Sequence, residues 1–194
     1  MDDKMNKNTP APIHPTGQVI WITGLPGSGK TTLAVELVKS LRKHLANVVH
    51  LDGDSLRQVL SNHDYSIEGR KALALQYSGL AKLLAEQGQI VIVSTVSLFH
   101  DVHDWNRAHF PRYVEVWLQP SQDSLMQRDQ KGLYTRNSSS DVVGRGIAPE
   151  FPRQPTHQFA HDTPADTQHA IHTLIATHFS DVAHLLTLEE TQRA

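Results

Sequence analysis

The strongest chemical signal in this chain is Gly24-Leu25-Pro26-Gly27-Ser28-Gly29-Lys30-Thr31, which has the spacing G-x-x-x-x-G-K-T. Each residue type has a task at a polyphosphate. The glycines let backbone N–H groups approach phosphate oxygens closely. Lys30 reaches the β- and γ-phosphates, and the Thr31 hydroxyl is a ligand for Mg²⁺. A helix beginning at Lys30 would point its positive end at the anion. Further along, Asp52 and Asp54 flank Gly53. Phosphoryl transfer needs carboxylates for two jobs, one in the metal's shell and one to accept or orient the proton of the attacking hydroxyl. Asp52 is read as the first and Asp54 as the second. Arg57, Arg70, Arg107, Arg128 and Lys131 lie near loop boundaries and are candidates to neutralise charge on the transferred group. Histidine is abundant, with 13 residues, but H-E-x-x-H spacing is lacking. His169, His172, His178 and His184 read as a solvated helix face.

These residues need strands and helices to hold them. Residues 18–23 are apolar on both faces and rich in β-branched side chains, the pattern of a buried parallel strand. Residues 31–44 are helical, with Leu33, Leu37, Val38 and Leu41 on one stripe. A second strand over 47–51 runs into Asp52, and a short helix covers 55–60. Ser66 is placed to cap a long helix over 67–87, which Gly88 stops. Residues 89–94 and 113–118 are two more strands, with helical segments over 101–109 and 121–129. Residues 131–158 carry glycines, prolines and serines with little periodicity, which predicts a mobile lid. Thr163-Pro164-Ala165-Asp166 opens a last helix running to about Phe179. Strands buried on both faces alternate with helices, so the fold is an α/β parallel sheet with helices on both faces. Its carboxyl edge collects the glycine loop, Asp52 to Asp54, and residues 94–99.

The chain has 194 residues, a net charge of −2 and no cysteine. That length suits one domain, residues 18–194, behind a polar, proline-bearing leader of residues 1–17 that lacks the apolar run of a signal peptide. Neither a basic field for nucleic acid nor an apolar run long enough for a membrane is present. The absence of cysteine fits a reducing, cytoplasmic compartment.

Taken together, five stretches resemble the adenylylsulfate kinase family. They are Gly24 to Thr32, Leu51-Asp52-Gly53-Asp54-Ser55-Leu56-Arg57, Ala81-Lys82-Leu83-Leu84-Ala85-Glu86-Gln87-Gly88, the strand leading to Ser97, and Arg128-Asp129-Gln130-Lys131-Gly132-Leu133-Tyr134. The resemblance runs in order over about residues 18–179. It implies a P-loop kinase fold with a mobile lid, often dimeric, that uses ATP and Mg²⁺ to phosphorylate the 3′-hydroxyl of adenosine 5′-phosphosulfate. It implies a catalytic set of Lys30, Asp54 and Ser97. ATP falls to Gly24, Leu25, Pro26, Gly27, Ser28, Gly29, Lys30, Thr31, Thr32 and Arg128, and the metal to Thr31 and Asp52. The acceptor falls to Asp54, Arg57, Tyr65, Arg70, Ser97, Lys131, Gly132 and Leu133. Tyr65 stands where the family has a phenylalanine that stacks on the acceptor's base.

Departures from the family pattern gather on the acceptor side. An asparagine and an arginine of the family become Leu73 and Leu75. S-P-[HY]-R reads Ser97-Leu98-Phe99-His100, and a lid aromatic becomes Val142. Losing polar partners alters specificity. Leu73 is read as core and Leu75 as the position that vacated a polar contact. Two other readings stand beside adenylylsulfate: a relative acting on another nucleotide conjugate, such as a cytidine diphosphoramidate, and a nucleotide-binding switch without transfer activity.

Overall fold

A computed structural model describes residues 17–110, 112–128, 143–144 and 146–184. Five strands form one parallel sheet in the order β2-β3-β1-β4-β5, with β1 Gln18–Thr23, β2 Val48–Asp52, β3 Ile90–Ser94, β4 Tyr113–Leu118 and β5 His157–Phe159. The helices are α1 Lys30–Leu41, α2 Gly53–Val59, α3 Ile67–Glu86, α4 His100–His109, α5 Gln122–Gln127 and α6 Pro164–His178. Chain order reverses on either side of β1, so the crevice beyond its carboxyl end is the natural ligand site of such a sheet.

Every residue of β1 is buried, which its unbroken apolar pattern requires. Ile20 and Ile22 face a layer made by Leu33, Leu37 and Leu41 of α1 and Ile171 and Leu174 of α6. Val19 and Trp21 face the opposite layer, with Leu73, Tyr77 and Ala81 of α3 and Val102 of α4. The three α1 leucines are fully buried, and each contributes about 1.5–3 kcal/mol by leaving water. Ser66 caps α3 by accepting from the Gly69 N–H at 3.0 Å, and Gly88 ends the turn after it with φ 81°. Thr163 and Asp166 form the capping box of α6, with proline in its first turn.

One expectation fails at the end of the anticipated lid. Residues 157–159 are a strand, and residues 146–156 pack on the body: Glu150 N–H donates to Leu98 O at 3.0 Å, and Arg107 reaches Gln154 O at 3.0 Å. A three-residue strand reading His-Gln-Phe has neither the length nor the alternation that marks a strand in sequence. Residues 131–142 and 145 of the anticipated lid, with Lys131, Gly132, Leu133 and Val142, lie outside the described residues, as does the anticipated leader up to residue 16. His178 also departs from the solvated reading, because its Nε2 meets His157 Nε2 at 2.8 Å and holds α6 to β5. Among the described residues no helix is long and apolar enough to cross a membrane.

Candidate active site

The glycine loop leaves the end of β1 and enters α1. Gly24 has φ 153°, and a Cβ there would lie 2.6 Å from Leu118 O. Gly29 has φ 87°, and a Cβ there would lie 2.5 Å from the His161 ring. Only glycine satisfies both the backbone conformation and the space. The Lys30 ammonium donates to Leu25 O at 2.7 Å and lies 3.3 Å from Ser28 Oγ, so it is held over the loop and lines the cleft.

Asp52 ends β2 and caps α2. Its Oδ1 accepts from Ser55 N–H at 3.1 Å; its Oδ2 accepts from Thr31 Oγ1 at 2.9 Å and from Ser94 Oγ at 3.0 Å. Burial works to raise the pKa of this carboxyl, but the bonds from Ser55, Thr31 and Ser94 outweigh it, and the group titrates below its ordinary range. An ionised carboxylate beside an exposed threonine hydroxyl is a hard oxygen donor set. That set suits Mg²⁺, which takes one or two carboxylates and fills its shell with water and phosphate. Among the described residues no cluster of histidine, aspartate and glutamate offers a closed, all-protein metal cage.

A cleft of about 1100 Å³ opens from this point. That is slightly above the usual range for a site that holds one small molecule. Asp54, Arg57, Tyr65, Arg70, Leu73, Tyr77, Ser97 and Phe99 line one arm. Tyr65 is half exposed, with the Arg57 and Arg70 guanidinium carbons 4.7 and 5.2 Å from its ring centroid. Arg57 is fixed by Asn62 Oδ1 at 2.9 Å and Asp64 O at 3.1 Å, and Arg70 by Tyr65 O at 2.8 Å. Ser97 is buried with its hydroxyl 2.8 Å from Thr95 Oγ1. Tyr77 donates to Gly53 O at 3.0 Å, and burial pushes its phenol up to about 12.

The other arm is built from Arg128 and residues 161–164. Arg128 donates to His161 O at 2.7 Å and to Asp162 O, while Asp162 Oδ1 accepts from Ser121 N–H at 2.8 Å. The His161 ring packs on Gly29 and meets Thr167 Oγ1 at 2.9 Å. His161 and Asp162 were not foreseen from the sequence. The available signal was the capping box at Thr163, which places a helix start at the sheet's carboxyl edge.

Three expected assignments change. Leu75 is 38% exposed and does not line the cleft, whereas Leu73, 1% exposed, packs in the core and lines the same arm as Arg57 and Tyr65. Of the two positions it is 73 that meets the cleft, because 73 and 75 lie on different sides of α3. Arg107 leaves the set of charge-neutralising candidates, since it pairs with buried Glu115 at 2.7 Å away from the cleft. His100, where the family pattern has arginine, is also outside the cleft lining, bonded to Phe151 O at 3.0 Å and to Arg153.

With that geometry in place, residues 16–156 match the family described as adenylylsulphate kinase. The chain is 42% identical over 124 residues to a cytidine diphosphoramidate kinase of Campylobacter jejuni, covering 64% of this chain and 73% of that protein. It is 37% identical over 152 residues to an adenylyl-sulfate kinase of Chloroflexus aurantiacus, covering 77% and 81%. Among solved structures it is similar to the Mycobacterium tuberculosis APS kinase CysC in complex with AMPPNP and APS, at 27% identity and TM-score 0.71, over 81% of this chain and 96% of that one.

Proposed function

The chain belongs to the adenylylsulphate kinase family and is a nucleotide kinase that phosphorylates a hydroxyl group; from that premise we propose that its acceptor is a cytidine diphosphoramidate and its donor MgATP. The attacking 3′-oxygen forms a bond to Pγ, the bond from Pγ to the bridging oxygen breaks, ADP leaves, and the hydroxyl proton passes to Asp54. Lys30 stabilises charge on the β- and γ-oxygens. Thr31 and Asp52 would hold the metal, which when bound would offset negative charge on the phosphates. Gly24 to Thr32 wrap the polyphosphate, and Arg128 with residues 161–164 receives the donor's base. Arg57, Tyr65, Arg70 and Ser97 receive the acceptor, joined by Lys131, Gly132 and Leu133. A homodimer in the cytoplasm belongs to the same reading.

The observation that carries the choice of acceptor is the apolar wall of its arm. Leu73 and Phe99 line it, and His100 is turned to residues 151–153. Arg57 and Arg70 also line that arm and in this reading face the modified phosphate. Those same two arginines, with Tyr65, support adenosine 5′-phosphosulfate as the second reading.

Steady-state kinetics with ATP, Mg²⁺ and each acceptor tests the choice. We expect kcat/KM for the cytidine conjugate to exceed that for adenosine 5′-phosphosulfate by about tenfold or more. The reverse order returns the second reading. Tight ATP binding with no transfer to any nucleotide hydroxyl points to a switch.

A further inference from the structure

Asp52 is tied to a residue that no motif marks. In the pairing of β2 with β3, His50 lies opposite Ile92 and Asp52 opposite Ser94. Residues two apart on a strand share a face, so His50, Asp52 and Ser94 project on one side of the sheet. That side carries α1, because Ile92 packs with Leu33 and Leu37. The Ser94 hydroxyl lies 3.0 Å from Asp52 Oδ2 and 2.9 Å from His50 Nε2.

Proton counting gives the direction of each bond. An ionised carboxylate only accepts, so Thr31 and Ser94 both donate to Asp52 Oδ2. Ser94 has one proton and spends it there. Its oxygen can then only accept from His50, which must carry its proton on Nε2. The chain reads His50 to Ser94 to Asp52, with Thr31 donating from the opposite end.

We propose that His50 is a positioning residue for the metal-holding carboxylate. A serine hydroxyl rotates freely, and donation from His50 leaves Ser94 one productive orientation, with its proton on Asp52. Removing that donor frees the rotor and loosens Oδ2, the oxygen shared with Thr31. Outer-shell partners of this kind change metal affinity by about 10–100-fold. The inference rests on the reading that Thr31 and Asp52 hold Mg²⁺.

Calorimetry of ADP binding, with Mg²⁺ and with EDTA, tests it on His50→Leu, His50→Gln, Ser94→Ala and Asp52→Asn. Metal-free ADP should bind the His50 and Ser94 variants as it binds the parent. The Mg²⁺-dependent gain in affinity should fall about tenfold in His50→Leu and Ser94→Ala. It should stay within about twofold in His50→Gln, whose amide N–H replaces the imidazole donor. If Asp52→Asn loses the gain while His50→Leu and Ser94→Ala keep it, the positioning role is overturned and the metal site stands. If Asp52→Asn keeps the gain, the metal reading falls and takes the proposal with it. Ring ¹⁵N spectra of the metal-free protein give a second readout: a proton on His50 Nε2 is expected, and a ring protonated on Nδ1 alone overturns the chain of donors. Should His50→Leu fold poorly, Ser94→Ala cuts the same chain from the other side.

Discussion

Lys30 and Asp54 are residues of opposite charge whose substitutions should part in their effects. The Lys30 ammonium meets loop oxygens at 2.7 and 3.3 Å and is 9% exposed, so it supports the loop as well as the phosphates. Lys30→Ala should lower kcat roughly 10²–10³-fold. Losing those bonds should also cost about 1 kcal/mol of stability. Turnover measured beside urea unfolding checks both, and a near-normal rate removes the lysine from the chemistry. Asp54 is exposed on the acceptor arm, while Asp52 is tied to Thr31, Ser94 and Ser55. Asp54→Asn keeps the shape and removes the proton acceptor, so turnover should collapse while MgATP affinity holds. The opposite split, with affinity lost and saturated turnover kept, would exchange the roles of the two aspartates.

On α3 the outcome depends on which side of the helix a residue occupies. Leu75 points to solvent and away from the cleft, so Leu75→Arg should leave acceptor kcat/KM within about twofold, as surface substitutions do. Leu73 is buried and lines the acceptor arm. Leu73→Asn should change the ratio of the two acceptors' kcat/KM, and burying an amide there should cost about 1–3 kcal/mol. Kinetics with both acceptors, together with thermal melts, separates a change of specificity from loss of fold. A shift in acceptor preference from Leu75→Arg alone would mean that the arm extends to the outer face of α3.

For the whole molecule, the buried histidines set the response to acid. Burial pushes the His103 imidazole down from 6.5 to about 4, against a bond from its Nε2 to Ser97 O at 3.0 Å. Unfolded chain takes up a proton there below the ordinary value, and folded chain does so only near 4. The contribution is therefore intact above 6.5 and is lost as pH falls toward 4. From about pH 7 to about pH 5 this one group should remove about 2 kcal/mol. His50, His157, His161 and His178 are lowered by burial as well and act in the same direction. Glu115 opposes them: burial raises it above its ordinary value despite Tyr113 and Arg107, so it gains stability as acid protonates it. Urea unfolding across that range should show stability falling with acidification, and a flatter profile in His103→Gln. A profile no flatter than the parent's would mean that His103 takes up its proton at the same pH folded and unfolded.

Local signals carried much of this protein. The glycine loop, the β1 pattern, the α1 stripe, the extent of α3, the Ser66 and Thr163 caps and the alternation of strand with helix are read within a few residues, because backbone conformation and burial on one element answer to nearest neighbours. The Thr31–Asp52 meeting follows from the same logic, since both residues sit at the carboxyl edge of a parallel sheet. Strand β5, with three residues, is stabilised by pairing with β4 rather than by its own pattern. The side of α3 on which Leu73 and Leu75 fall depends on helix register against the sheet, which spacing two residues apart leaves open. His161 reaches Gly29 across more than a hundred residues of chain, and His50 reaches Asp52 through Ser94 on the neighbouring strand. Contacts of that kind depend on strand order and register, and these are decided only when the whole sheet assembles.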